Sequence, residues 1–281
     1  MPVPHNEIYG KHVKPADRDP KLVFVGVPMT GSIRWETSQI LAYLSHNEIA
    51  GYKFIVRKIG GFGLAKARNA LLWLARQTPA SQVLWIDSDI NAGPQQIERI
   101  LSHDVDMVGG AYPKKQIPLT WVGEFNSDTP NSQGLLPAMS LGTGFLLHKM
   151  KIIDFIIAHF PEIAYYSDEN STPFEYKDVM HDVFSMGVVD DLWFGDKYPR
   201  YITEDYYLCY RWLKCGGSAW LDPLCQLGHI GTTDFLHLNG KLEDMKDQIN
   251  KSNSDLQRAL SKNPIAGQRD CLLYTSPSPR D

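Results

Sequence analysis

An α/β fold, with an open and mostly parallel sheet flanked by helices on both faces, is the architecture this sequence predicts. Three features predict it. Short apolar runs bounded by turn residues recur along the first half, amphipathic segments rich in helix formers separate them, and acidic residues follow directly after one run, where open α/β sheets hold ligands. Hydrophobic residues make up 43% of the 281, which excludes disorder for most of the length.

Residues 1–21 are polar and form an N-terminal lead. KLVFVGVP then supplies a buried strand at 22–27. Residues 34–49 place Ile40, Leu41 and Leu44 on one helical face, and YKFIVRKI at 52–59 returns to strand character. The segment GLAKARNALLWLARQ is a helix with an apolar stripe through Leu64, Ala67, Leu71, Leu72 and Leu74, and QVLWI is the next strand. Pro94 opens another helix, and VDMVGG another strand. The second half is less regular. It predicts strands near 117–125 and 141–147, a helix near 149–160, and a polar, aromatic stretch to about 202 of a length usually kept for function. Thr203 is placed to cap a helix through about Cys215, ended by Gly216 and Gly217, and SAWLD and CQLGH are short strands. Residues 240–269 form a charged C-terminal segment, helical and solvent-facing over 240–262. Residues 270–281 fit no period and resemble translated sequencing-adaptor sequence, so they are set apart as a disordered or artefactual tail.

The 28 Lys and Arg against 32 Asp and Glu exclude a protein that coats nucleic acid by bulk charge. The distribution is uneven: residues 1–77 carry 11 basic and 5 acidic side chains, and residues 161–196 carry 9 acidic and 1 basic. The first suits an anion and the second repels one. No apolar run reaches the roughly 18 to 20 residues of a membrane span, and the start lacks a signal-peptide core, so a cytoplasmic protein is expected. Cys209, Cys215, Cys225 and Cys271 lack zinc-site spacing and are expected as buried thiols.

The strongest chemical signal is VLWIDSDI. An apolar strand runs straight into Asp87, Ser88 and Asp89, so two carboxylates stand at its carboxyl end, where they can hold a hard divalent ion bridging nucleotide phosphates. Turn preference alone also places Asp and Ser there. Arg68 suits bidentate phosphate contact or is a surface helix charge. His229, between glycines after a short strand, is a metal ligand or a structural histidine. Glu204 and Asp205 stand in a first helical turn, where the dipole alone favours them. Gly142, Thr143 and Gly144 allow close approach of a ligand or form a tight turn. Trp121, Trp193, Tyr198 and Tyr201 offer aromatic faces for an apolar ring surface or serve packing.

In order along the chain, VFVGVP, Ala67-Arg68-Asn69, IDSD, GTGF at 142–145, TED at 203–205 and LGHIG at 227–231 resemble the GT-A fold glycosyltransferases, family 2-like, with their D-x-D motif. The resemblance spans residues 22 to about 235. It implies a GT-A domain over 22–239, with a nucleotide-binding half (22–110) and an acceptor half (111–239). Pro28, Met29 and Thr30 would lie by the base, Arg68 by the diphosphate, and Asp87, Ser88 and Asp89 at the donor. Asp87, Asp89 and His229 would hold Mn2+ or Mg2+, and Asp205, beside Glu204, would be the general base. The implied reaction is inverting transfer of a single hexosyl group from a nucleoside diphosphate sugar, UDP-sugar favoured, to a hydroxyl acceptor. Processive relatives follow TED with Q-x-x-R-W; Leu208 replaces that Gln before Cys209, Tyr210, Arg211 and Trp212, against a processive synthase. The acidic 161–196 segment disfavours a nucleic acid acceptor. Should Asp205 not be the base, Asp190 and Asp191 are the alternatives. A nucleotidyltransferase, with GVPMTGSIR as a faint phosphate loop, and a catalytically inactive carbohydrate-binding or scaffold protein remain open.

Overall fold

The computed structural model describes residues 12–61, 63–167, 178–189 and 198–231, together with Asp247, Asn250 and Lys251. A 3-10 turn at Pro15–Asp17 leads into β1 (Asp19–Met29), α1 (Trp35–His46), β2 (Lys53–Gly60), α2 (Leu64–Arg76), β3 (Ala80–Ile86), β4 (Ile90–Asn91), α3 (Pro94–Leu101) and β5 (Met107–Ala111). Then come β6 (Glu124–Phe125), β7 (Leu136–Ser140), β8 (Phe145–Lys149), α4 (Met150–His159), a second 3-10 turn at Pro161–Ile163, β9 (Ala164–Tyr166) and β10 (Val179–His181). The last elements are β11 (Gly187–Val189), β12 (Arg200–Ile202), α5 (Glu204–Lys214), β13 (Ala219–Gln226) and β14 (Gly228–His229).

Eight strands form one sheet in the order β2-β1-β3-β8-β5-β13-β7-β6. Six of the eight point the same way. Strand β1 is parallel to β2 and β3, and β5 to β13, whereas β8 runs against β3 and β5, and β7 against β13 and β6. Alternation along each strand divides the core in two. Val23, Val25 and Val27 of β1 pack with Ile40 and Leu44 of α1 and Ile97 of α3, while Phe24 and Trp85 face α2, α4 and α5. Helix α2 is buried without a break from Ala67 to Trp73, because Met180 of β10 covers the side turned away from the sheet.

The second half departs from expectation in three places. Of residues 117–125 only Glu124–Phe125 reach the sheet; Pro118, which has no N–H, lies in a loop closed by Lys114 N–H on Thr120 O at 2.6 Å. Strand β7 is an addition to the elements expected from the sequence; it carries Pro137, which the β6 edge tolerates because β6 pairs only with Ser140 and Ala138 and stops short of the proline. The strand expected from 141 starts at Phe145, leaving Leu141–Gly144 as a turn, and Cys225–Gln226 close β13 rather than joining His229 in one strand.

Thr203 occupies the capping position of α5, yet its side chain caps no N–H; its hydroxyl donates to Asp205 Oδ1 at 2.6 Å. The lead is partly integral, since Val13 N–H bonds Arg76 O at 2.9 Å and Arg18 pairs with Asp154 at 2.7 Å. Burial pushes the Cys209 and Cys225 thiols up to about 12; Cys215 is half-buried and Cys271 lies outside the described residues. Of the expected 240–262 helix, only Asp247, Asn250 and Lys251 are described, helical and exposed. Among the described residues no helix is long and apolar enough to cross a membrane.

Two imidazoles are held neutral in the core. Burial lowers His148, which accepts from Trp85 Nε1 at 3.1 Å, to about 4, and burial with the adjacent Arg76 charge lowers His181 to about 2, against 6.5 for a free histidine. The unfolded chain therefore takes up protons at a higher pH than the folded one, and stability falls as pH drops below about 6.5. We expect the urea midpoint to decline from pH 7 to pH 5, with a shallower decline in His181→Asn; equal slopes would contradict this.

Candidate active site

The carboxyl ends of β1, β3, β5 and β13 and the amino end of β8 meet at one edge of the sheet. Strand β3 ends at Ile86, and the Asp87 N–H donates to Gly144 O at 2.9 Å, tying the acidic turn to the start of β8. The β1–β3 register, Gly26 opposite Trp85, brings Pro28, Met29 and Thr30 abreast of this turn; Pro28 is buried and Thr30 exposed. Helix α1 is pinned over it, since Arg34 N–H donates to Ser88 O at 2.8 Å and Thr37 Oγ1 to Ile90 O at 2.7 Å.

Beneath lies a buried ion cluster. Arg68, only 2% exposed, donates from Nη2 to Asp87 Oδ1 at 2.8 Å and from Nε to Glu204 Oε1 at 3.4 Å. Burial works against its charge, and Asp87, Glu204 and Asp205 around it outweigh that and raise its pKa. Its Nη1 is buried without a hydrogen-bond partner among the described residues. Asp205 follows Glu204 in the first turn of α5. Its Oδ1 accepts from Thr203 Oγ1 and from Tyr206 N–H at 2.8 Å, and burial, with Glu204 beside it, raises its pKa despite those bonds. Glu204 is buried on Arg68, so its presence is more than a response to the helix dipole.

A second group surrounds Asp89. Strands β4 and β14 pair, with His229 opposite Ile90, and Ile230 N–H donates to Asp89 O at 2.8 Å, so the backbone alone sets His229 beside Asp89. His229 Nδ1 lies 2.7 Å from Pro113 O. A carbonyl only accepts, so Nδ1–H donates to it, while Nε2, 3.6 Å from Asp89 Oδ1, faces the carboxylate with a proton in the imidazolium and with its lone pair in the neutral ring. Lys115 Nζ donates to the other oxygen, Oδ2, at 2.5 Å. Burial would raise the Asp89 carboxyl, but the imidazolium form of His229 and the Lys115 ammonium hold it down at about 2.

Tyr112 joins the two groups, with its hydroxyl accepting from Gly144 N–H at 2.9 Å and its ring edge-on to His229. A Cβ on Gly142 would stand 2.1 Å from that hydroxyl and one on Gly144 2.7 Å from it, so Tyr112 itself accounts for both glycines. Thr143 between them is 1% exposed, and its hydroxyl has no partner among the described residues. Tyr112, Lys115 and the Pro113 carbonyl were not singled out in the sequence. The tandem Lys114-Lys115 just past a strand was the available signal for one of them.

Asp87 stands with Arg68, whereas Asp89 stands with His229 and Lys115. Among the described residues no three His, Cys, Asp or Glu side chains form a ready metal cage. The donor chemistry of the Asp89–His229 pair nonetheless suits a divalent ion: a carboxylate oxygen faces an imidazole nitrogen that is an acceptor in the neutral ring, and four carboxylates (Asp87, Asp89, Glu204, Asp205) stand against two permanently charged cations (Arg68, Lys115). Trp121 is buried at 1% exposure and serves packing, Tyr198 and Tyr201 are exposed, and Trp193, Asp190 and Asp191 lie outside the described residues. A cleft of about 930 Å³ opens between α2, β9 and α5, lined by Asn69, Tyr165, Asp182, Tyr207 and Arg211. None of Asp87, Asp89, Glu204 and Asp205 lines this cleft, where Asn69 is bonded to Asp182 and Arg211 to backbone carbonyls.

The Thr143 hydroxyl yields a stability test. Replacing a buried, unbonded hydroxyl by a methyl removes a desolvation cost of about 1 to 3 kcal/mol, so Thr143→Val should raise the urea midpoint of the ligand-free protein. A lower midpoint would mean that the hydroxyl is bonded.

No family model matches the chain, and no curated protein does. Among solved structures, A197 from STIV is similar over 75% of this chain and 86% of its own, at 14% identity and a TM-score of 0.44. A glycosyltransferase involved in the glycosylation of the major capsid of PBCV-1 is similar over 55% of this chain and 72% of its own, at 12% identity and a TM-score of 0.28. At these scores the functional argument rests on the site's own residues.

Proposed function

We propose that this chain is a metal-dependent glycosyltransferase of GT-A fold that moves one hexosyl group from a nucleoside diphosphate sugar, UDP-sugar favoured, to a hydroxyl acceptor with inversion. The observation that carries the reading is the approach of His229 to Asp89 across 140 residues of sequence, beside the Arg68, Asp87, Glu204 and Asp205 cluster. In the imidazolium a proton lies between His229 and Asp89; in the neutral ring the lone pair faces the carboxylate, and a divalent cation held between them would satisfy both. Asp89 and His229 would hold a divalent cation, Mn2+ or Mg2+, which would supply Lewis acidity toward the departing diphosphate.

The chain's own residues do the rest. Arg68 holds Asp87 and Glu204 in place, which fixes the turn between β3 and β4 against the start of α5. Pro28 to Thr30 and the Gly142 to Gly144 turn border the donor site at the same sheet edge. Asp205, with Oδ1 held by Thr203 and Tyr206, offers Oδ2 to the acceptor hydroxyl. Its raised pKa strengthens it as a base. It takes the hydroxyl proton as the acceptor oxygen attacks the anomeric carbon, and the bond to the diphosphate breaks with its electron pair leaving on the phosphate. Tyr201, 59% exposed and four residues before Asp205, offers an aromatic face to the acceptor ring.

Asp205→Asn cannot take up a proton at neutral pH. We expect it to fold and to bind UDP with Mn2+ as the parent does, with transfer reduced about 10² to 10⁴ fold. Transfer at the parent rate would place the base elsewhere. Glu204→Gln should instead lower stability, because Glu204 is a buried partner of Arg68. The reading as a whole is tested by thermal shift with a panel of nucleotide sugars, each with and without Mn2+. A metal-dependent shift with turnover supports it, a shift without turnover indicates an inactive binding protein, and no shift with any donor overturns it.

A further inference from the structure

We propose, resting on the glycosyltransferase reading above, that Lys115 is a tethered counter-ion: it holds Asp89 while the site is empty and passes to the donor's diphosphate when a divalent ion takes its place. The contacts around Asp89 form a closed ring. His229 Nε2 faces Oδ1 at 3.6 Å, His229 Nδ1 is bound to Pro113 O at 2.7 Å, and two residues beyond Pro113 the Lys115 ammonium returns to Oδ2 at 2.5 Å.

The base of this loop is fixed. Pro113 bridges Trp121, Lys114 N–H bonds Thr120 O, and Gln116 Nε2 bonds Thr120 Oγ1 at 2.8 Å. Its crown is exposed from Lys114 to Pro118, so the four-carbon Lys115 stem can swing without moving the anchor on His229. An ammonium on Oδ2 and a metal ion drawn in beside Oδ1 repel one another, so filling the site expels Lys115. The nearest incoming anion is then the diphosphate that the same ion binds. Arg68 cannot make this move, being buried on Asp87 and Glu204.

The test compares Lys115→Met with Lys114→Met, which removes the same charge one residue away. Titration of Mn2+ alone, followed by the electron paramagnetic resonance signal of the free ion, reads the competition; calorimetry of UDP at saturating Mn2+ reads the phosphate contact. We expect Lys115→Met to bind Mn2+ alone about tenfold more tightly than the parent and UDP about tenfold more weakly, with Lys114→Met within about twofold on both. Lys115→Arg, which keeps a cation on Asp89, should resemble the parent in Mn2+ binding and so separates lost charge from lost fold. If the parent binds Mn2+ and UDP but Lys115→Met differs from Lys114→Met on neither measure, the counter-ion role is overturned while the glycosyltransferase reading stands. If no protein binds Mn2+ even with UDP present, the underlying reading falls and this role with it.

Discussion

The guanidinium of Arg68, buried between Asp87 and Glu204, ties the start of α5 to the end of β3 at the edge of the sheet where the candidate site lies. Three elements meet on it: α2 supplies the cation, the end of β3 one carboxylate and the start of α5 the other. A charge this deep tolerates no loss of a partner, since removing one side of such a pair typically costs about 3 to 5 kcal/mol. The start of α5 is therefore held to the end of β3 by electrostatics, and Asp205, one residue beyond Glu204, is delivered to the same edge of the sheet.

Around that ion cluster the backbone completes the site with few side chains. The β4–β14 pairing sets His229 against Asp89 by main-chain bonds, and the Pro113 carbonyl chooses which ring nitrogen carries the proton. Tyr112 fills the space that the Gly142 to Gly144 turn leaves, so glycines that invite a reading as ligand contacts are already required by packing against a phenol. Packing and ligand approach call for the same residue type at such a turn.

The order of strands and helices in the first half was legible because each element there repeats one period long enough to read. Residues 22–27, 52–59 and 82–86 all became strands of the central sheet, and the helices around Leu41, Leu71 and Ile97 formed where expected. The second half was read less well. Strand β7 carries a proline, β6 has only two residues, and Pro118 interrupts the segment before it, so local propensity argued against pairings that the neighbouring strands impose.

By itself the sequence determined the chemistry available at the sheet edge: Asp87 and Asp89 after an apolar strand, Glu204 and Asp205 in a first helical turn, and His229 after a short strand. Each of these follows from local pattern, because a strand end or a helix start is set by neighbours in the chain. Which of these groups face one another was decided only by the tertiary structure. Asp87 and Asp89 are two residues apart yet pair with different cations, Arg68 on α2 and Lys115 on the loop after β5, because the chain leaves β3 at Ile86 and turns, with Ile90 N–H on Asp87 O, so the shared face that strand alternation would give residues two apart is lost. The roles of Lys115, Tyr112 and the Pro113 carbonyl rest on contacts across 26 to 116 residues, a separation over which no sequence period extends.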